Sequence, residues 1–231
     1  MSMTGHSTAA RRSTSIVDGA SGDRSAVVMR LALALAGLVL GCAAIVGRAA
    51  ALSTDADVGG HRHHLAPETI RTLADYAVPR IALVREDGKN VVLSNEIDDG
   101  KPVVLSFVYT TCTTICPLTS MTLAQVQAGL GDARDRVHLV SISIDPEQDT
   151  PARLREYALK FGAGPQWHHY TGTVGASVAS QRAFDVYRGD KMSHTPVVLV
   201  RTRPTERWVR FEGFATADQL LAELRPAVAV R

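Results

Sequence analysis

Hydrophobic residues from position 78 onward are grouped into short apolar runs and longer amphipathic stretches. The first two runs, Ile81–Val84 and Val91–Leu93, flank Asp87-Gly88, a dipeptide that favours the tight turn of a β-hairpin. The run Val103–Tyr109 is almost wholly apolar over the length of one strand, which is typical of a strand buried on both faces. The pattern therefore predicts a hairpin followed by a central strand.

Helices are predicted between the later strands. Residues Pro117–Leu130 have apolar side chains at near-helical spacing, and 174–184 form a further amphipathic stretch. Thr150-Pro151 supplies an N-cap and a first helical residue, and Thr216–Gln219 has the form of a capping box. Further strands are expected at 137–144, 196–200 and 207–211.

Strands that alternate with helices predict one α/β domain over residues 78–231, with a central sheet flanked by helices. Ligands of open α/β sheets bind at the carboxyl ends of the strands. The buried strand 103–109 leads directly into Thr110–Cys112, so the chemistry of the domain is expected there.

An uncharged segment of 17 residues, Leu31–Gly47, lies between two arginines near the N-terminus. Its length is at the short limit for a membrane-spanning helix and slightly long for the core of a signal peptide. Residues 29–51 are therefore expected to be a signal peptide or a membrane anchor, preceded by a disordered leader at 1–28.

The processing of this segment has several interpretations. The small residues of Arg48–Ala51 suit signal peptidase, and Cys42 lies in a stretch that resembles a lipobox. Met29 begins a well-formed signal sequence, so we hypothesise that translation starts there. Spanning anchor, lipid anchor and full release all place the domain outside the cytoplasmic membrane.

Residues 52–77 are expected to be a linker, and they contain His61, His63 and His64. Such a cluster can bind a transition metal weakly. A solvated polar linker is the interpretation that we favour.

The composition is that of an ordinary globular protein, with 45% hydrophobic and 21% charged residues. The formal net charge is only +2, which gives no reason to expect a nucleic-acid partner. Three cysteines are too few for a small fold stapled by disulfides, so each is interpreted by its position.

Cys112 and Cys116 lie at the predicted junction of strand and helix. Helical residues four apart have β-carbons about 5–6 Å apart, whereas a disulfide needs roughly 3.5–4.5 Å. We therefore expect the pair to alternate between a metal-bridged dithiol and a somewhat distorted disulfide. The N-terminus of a helix also lowers the pKa of a thiol, which favours the thiolate that both states require.

Two soft thiolates with one imidazole suit copper, and a low coordination number suits Cu(I). Among the histidines, His194 is singled out by its context, a polar loop immediately before an apolar strand. His138 lies inside a predicted strand, where a structural imidazole is expected. His168 and His169, predicted to lie in a loop, are weaker ligand candidates.

Several motifs together resemble the Sco/SenC family over about residues 75–225; they are Asp87–Lys89, Phe107–Cys112, Ile115–Pro117, Ser143–Glu147, Asp149–Pro151 and the late His194. The resemblance implies a thioredoxin-like fold with an extra hairpin, anchored on the outer side of the bacterial or inner mitochondrial membrane. It also implies one copper ion bound by Cys112, Cys116 and His194. The implied role is delivery of copper to the binuclear centre of cytochrome c oxidase, or reduction of that centre's cysteines.

The residues on either side of His194 differ from the usual family pattern. Ser193 precedes the histidine where family members commonly have Asp, and Thr195-Pro196 resembles the cis-proline loop of thioredoxin-like reductases. Pro196 as a trans residue that starts an edge strand is the default interpretation. Asp145 and Glu147 either support the site or guide a partner, or they simply form the turn before the capped helix, and the sequence favours neither interpretation.

Three functions therefore stay open. A copper metallochaperone acting on the copper-bearing subunit of cytochrome c oxidase is the leading one. A thiol–disulfide oxidoreductase, in which Cys112 attacks and Cys116 resolves, is the second. A copper or redox sensor that signals to a membrane partner is the third.

Overall fold

The computed structural model describes residues 69–229. Eight strands within this range form one sheet: β1 (Ile70–Ala74), β2 (Ala82–Arg85), β3 (Asn90–Val92), β4 (Val103–Val108), β5 (His138–Ser143), β6 (Trp167–Thr171), β7 (Val197–Arg201) and β8 (Trp208–Glu212). Their order across the sheet is β1-β8-β7-β4-β5-β6-β2-β3. Five α-helices flank the sheet: α1 (Leu93–Ile97), α2 (Ile115–Leu130), α3 (Pro151–Lys160), α4 (Val174–Ala183) and α5 (Ala217–Ala229). The α/β architecture expected from the sequence is confirmed.

Strand β4 lies at the centre of the sheet, between β7 and β5. All six of its residues are buried, as the apolar run predicted. It runs parallel to β5, with Val103 opposite His138 and Val108 opposite Ser143. Because both strands end at the same edge, the chain that follows β4 meets the chain that follows β5 there. This edge carries the candidate site.

The predicted turn and cap residues have the expected conformations. Gly88 has a φ of +87°, which favours glycine, in the turn between the antiparallel strands β2 and β3. The hydroxyl of Thr150 accepts a hydrogen bond from the Arg153 amide at the start of α3. Thr216 and Gln219 form both hydrogen bonds of the capping box before α5.

Three details differ from the expectations. The segment 52–77 was expected to be a linker, but β1 lies within it and pairs with β8 along its whole length. His168 and His169 lie in strand β6 rather than in a loop, because Trp167 and Tyr170 anchor that segment in the core. Pro196 has a trans peptide bond as expected, but the strand it precedes lies inside the sheet rather than at its edge.

The predicted leader, anchor segment, lipobox-like Cys42 and linker histidines lie outside the described residues. Between residues 69 and 229, no helix has the length and apolar character needed to cross a membrane.

Candidate copper and thiol site

The two cysteines do not share a regular helical turn. Cys112 lies in a turn in which its amide donates to the carbonyl of Tyr109 at 3.1 Å, whereas Cys116 lies in the first turn of α2. Helix α2 starts only at residue 115, and Pro117 fits there because the first turn of a helix needs no amide donor. The expectation of two sulfurs spaced by one helical turn is therefore wrong.

Both cysteines are free thiols, and both are buried. The backbone amide of Cys116 donates to the sulfur of Cys112 at 3.3 Å. Both pack with Val108 and Tyr109 in one apolar cluster at the end of β4. A free amide in the first turn of α2 therefore points at the Cys112 sulfur. Such an amide stabilises the sulfur when it is ionised.

The two thiols have opposite acidities. Burial by itself would raise the pKa of Cys112, but hydrogen bonds from the backbone amides of Cys116 and Thr114 outweigh burial and lower it to about 7. Deeper burial raises the pKa of Cys116 far above its usual range, and the neighbouring Cys112 sulfur adds to the shift. Near neutral pH a substantial fraction of Cys112 is therefore thiolate, while Cys116 stays a thiol.

A buried carboxylate that the sequence analysis missed fixes the loop before Cys112. Asp149 is fully buried and accepts hydrogen bonds from the Thr110 hydroxyl at 2.6 Å and the Thr110 amide at 3.1 Å. It also accepts from the Ser143 hydroxyl at 2.6 Å. These contacts join the carboxyl end of β4 to that of β5. The sequence signal for this role was the position of Asp149 directly before Thr150, the N-cap residue of α3.

The loop that carries His194 is tied to the same edge. The ammonium of Lys191 lies 2.6 Å from the carboxylate of Asp145, which follows β5. The Asp190 side chain accepts from the Met192 amide at 2.9 Å, which caps a short 3-10 turn. Asp145 therefore supports this loop, while Glu147 is exposed to solvent.

His194 is buried beside the end of β4. Its Nε2 lies 3.3 Å from the carbonyl oxygen of Phe107, and since a carbonyl only accepts, Nε2 carries the hydrogen. Burial lowers the pKa of His194, so the ring is neutral near pH 7 and the lone pair lies on Nδ1. Within the described part of the chain, no three His, Cys, Asp or Glu side chains are close enough together to hold a metal ion. The structure thus places His194 near the strand that leads to the cysteines without gathering all three donors.

The remaining described histidines have other surroundings. His138 pairs with Asp99 and His168 with Glu86, each at 2.9 Å. Both line a cavity of about 460 Å³ whose lining contains neither cysteine. His169 is fully buried, and neither of its ring nitrogens has a partner. The structural role expected for His138 is confirmed.

Comparisons with known proteins identify what this domain is similar to. The SCO1/SenC family model matches residues 72–229. A SCO1 protein homolog of Bacillus subtilis is 31% identical over 106 residues, which cover 46% of this chain and 54% of that protein. The chain spans about half the length, or less, of the curated relatives it matches.

Solved structures agree with that match. A crystal structure of Arabidopsis thaliana ScoI with copper bound is 27% identical, with a TM-score of 0.55, covering 67% of this chain and all of that one. Bradyrhizobium japonicum ScoI, also solved with copper bound, is 25% identical, with a TM-score of 0.54, covering 63% and 96%.

Proposed function

Because this chain belongs to the SCO1/SenC family, we propose that it binds one copper ion through Cys112, Cys116 and His194. Two relatives of known structure were solved with copper bound. The observation that carries the proposal lies in this chain: two reduced thiols stand at the end of β4, and a neutral imidazole lies beside the same strand.

The donor set suits Cu(I). Thiolates and imidazole are ligands that soft copper prefers, and Cys112 is already acidic enough to ionise near neutral pH. Binding of the ion drives the second deprotonation, at Cys116, because only thiolates are good metal ligands. The hydrogen bond from His194 to the Phe107 carbonyl leaves Nδ1 free, and metal-binding histidines usually make such a bond with their second nitrogen.

Copper binding requires the His194 loop to move toward the sulfurs. The contacts that hold this loop at the site are the Lys191–Asp145 ion pair, which is partly buried, and the Asp190 cap, which is exposed. A site whose third ligand comes from a loop at the sheet edge can release its ion stepwise, as the ligands of a partner replace its own. This is the behaviour that delivery needs, rather than permanent storage.

We propose that the client is the copper-bearing subunit of cytochrome c oxidase, whose binuclear copper centre this protein loads or keeps reduced. The family membership supports this assignment. The predicted segment at 29–51 would hold the domain on the outer side of the membrane. Intact masses of the protein from the membrane fraction and from the soluble fraction of native cells distinguish a retained span, a lipid on Cys42 and a cleaved signal.

Copper titration of the full-length reduced protein tests the binding proposal. The wild-type protein is expected to retain one copper ion per chain after gel filtration, and its Cu(II) form should have a thiolate-to-copper charge-transfer band. His194→Ala should lose copper on gel filtration while the thiols of Cys112 and Cys116 stay titratable. His138→Ala is the matched control, since that ring is paired with Asp99, and it should retain copper. Wild-type protein without copper after gel filtration would refute the proposal.

The acidities of the cysteines favour a second candidate, a thiol–disulfide reductase. The Cys112 thiolate would attack a disulfide of the partner, forming a mixed disulfide and releasing one partner thiolate. Cys116 would then lose its proton and attack Cys112, which releases the second partner thiolate. The partner gains two electrons, and Cys112–Cys116 becomes the disulfide.

Trapping the mixed disulfide tests this second function. Cys116→Ser should accumulate a covalent adduct with a disulfide-bonded model peptide of the copper subunit, while Cys112→Ser should form none. The reductase role would be excluded if copper-free wild-type protein reduced this peptide no faster than a variant with both Cys112→Ser and Cys116→Ser.

A further inference from the structure

The loop that carries His194 also presents an exposed thioether. Met192 is 73% exposed, and its sulfur lies 3.9 Å from the phenol oxygen of Tyr109. A side chain this exposed gains little free energy from apolar burial. Packing therefore does not explain why a methionine stands at this position.

Tyr109 connects this sulfur to the cysteine pair. Its side chain belongs to the apolar cluster that contains both Cys112 and Cys116. A phenol has one hydrogen to donate, and the Tyr109 hydroxyl directs it to the sulfur of Met192. The thioether is therefore held against a residue that packs with Cys112 and Cys116.

The position of Met192 is fixed by its neighbours. Its backbone amide donates to the Asp190 carboxylate at 2.9 Å, and the adjacent Lys191 is paired with Asp145 at 2.6 Å. The ammonium of Lys191 also lies 5.8 Å from the centre of the Tyr109 ring. The loop thus holds its thioether over the tyrosine that contacts Cys112.

The loop therefore offers two donors with opposite exposure. Met192 is exposed, whereas His194, two residues later, is 6% exposed and hydrogen-bonded to Phe107. Thioethers and thiolates are soft ligands that select Cu(I). An ion that arrives from solvent meets the thioether before it meets the buried imidazole.

We infer that Met192 is the entry and exit ligand for Cu(I): its thioether binds the ion together with Cys112, and His194 replaces it in the stored state. The exchange substitutes one neutral donor for another, so neither a proton nor an electron is transferred. This inference rests on the proposed copper-binding function and adds a residue to its site.

Transfer kinetics of the full-length protein test the inference. Copper(I) is passed anaerobically from the loaded protein to a chromophoric Cu(I) chelator in a stopped-flow instrument. Met192→Leu keeps the size of the side chain and removes the sulfur, so transfer should slow about tenfold, with little change in the equilibrium affinity. Met121→Leu is the matched control, because Met121 is the other described methionine and is also exposed; this variant should transfer at the wild-type rate.

Methyl NMR provides a second readout that does not depend on transfer. In His194→Ala protein labelled at the methionine methyl groups, addition of Cu(I) should shift the Met192 signal and leave the Met121 signal in place. The inference about Met192 would be overturned if the transfer rate of Met192→Leu and the Met192 methyl signal both stayed unchanged. If the wild-type protein still retained copper, the proposed copper-binding function would stand. Wild-type protein that retains no copper would overturn the proposed function as well.

Discussion

The carboxylate of Asp149 accepts a hydrogen bond from the hydroxyl of Thr110 at 2.6 Å, which links the start of α3 to the segment that precedes Cys112. Asp149 also accepts from the Thr110 amide and from the Ser143 hydroxyl. One buried side chain thereby holds the carboxyl ends of the two central parallel strands together.

Asp149→Asn should loosen this edge. An amide has one accepting oxygen in place of two, and its NH2 group would face donors, so a buried donor loses its partner. We expect the free energy of unfolding to fall by about 2–3 kcal/mol. Chemical denaturation measures the loss, and Asp132→Asn, at an exposed position, is the control. Equal stability of the two variants would show that the carboxylate is not required.

The order of thiol alkylation follows from the pKa values of the two cysteines. Brief treatment with iodoacetamide should label Cys112 first, with a midpoint near pH 7, because the thiolate is the nucleophile and amide hydrogen bonds stabilise it. Burial raises the pKa of Cys116, so this cysteine should stay unlabelled near neutral pH. Peptide mass spectrometry at a series of pH values locates the label. Faster labelling of Cys116 would contradict the assignment of attacking and resolving roles.

His169 should make the folded protein sensitive to acid. Burial lowers the pKa of His169 to about 4, from an ordinary value near 6.5. Between these two pH values the unfolded chain binds a proton at this residue and the folded chain does not. Stability therefore falls as the pH drops from 6.5 to 4, by on the order of 3 kcal/mol from this group. His194, whose pKa is also lowered, contributes in the same direction.

The variant His169→Phe isolates this contribution. Both ring nitrogens of His169 are buried without a partner, and the ring stacks on Trp167 at a centroid distance of 5.3 Å. An apolar ring of similar shape removes two unsatisfied polar atoms, so the variant should be at least as stable at pH 7 and lose less stability at pH 4.5. Chemical denaturation at both pH values checks this. An equal loss in variant and wild type would assign the acid sensitivity to other groups.

Much of the fold was predictable because its signals are local. The apolar run of β4, the Asp87-Gly88 turn and the caps at Thr150 and Thr216 each depend on a few neighbouring residues. Strand β1 was missed because its burial pattern is almost wholly exposed, and only its pairing with β8 defines it. Strand β6 was missed because His168 and His169, at its centre, break both an apolar run and an alternation of apolar and polar residues.

The candidate site was predictable in its residue types and less so in its arrangement. The spacing of Cys112 and Cys116 was visible, but the start of α2 between them depends on how Pro117 fits the first turn. The contributions of Asp149 and Met192 come from contacts across 39 and 83 positions of the chain, which no local pattern contains.

X-ray absorption at the copper edge of the full-length, Cu(I)-loaded protein tests the central claim most directly. The wild-type spectrum should require one nitrogen ligand from His194 and at least two sulfur ligands. His194→Ala, measured with substoichiometric Cu(I) and without gel filtration, should lose the nitrogen and keep the sulfurs. A spectrum that is identical in the two proteins, or one without sulfur, would contradict the assignment of Cys112, Cys116 and His194 as the copper ligands.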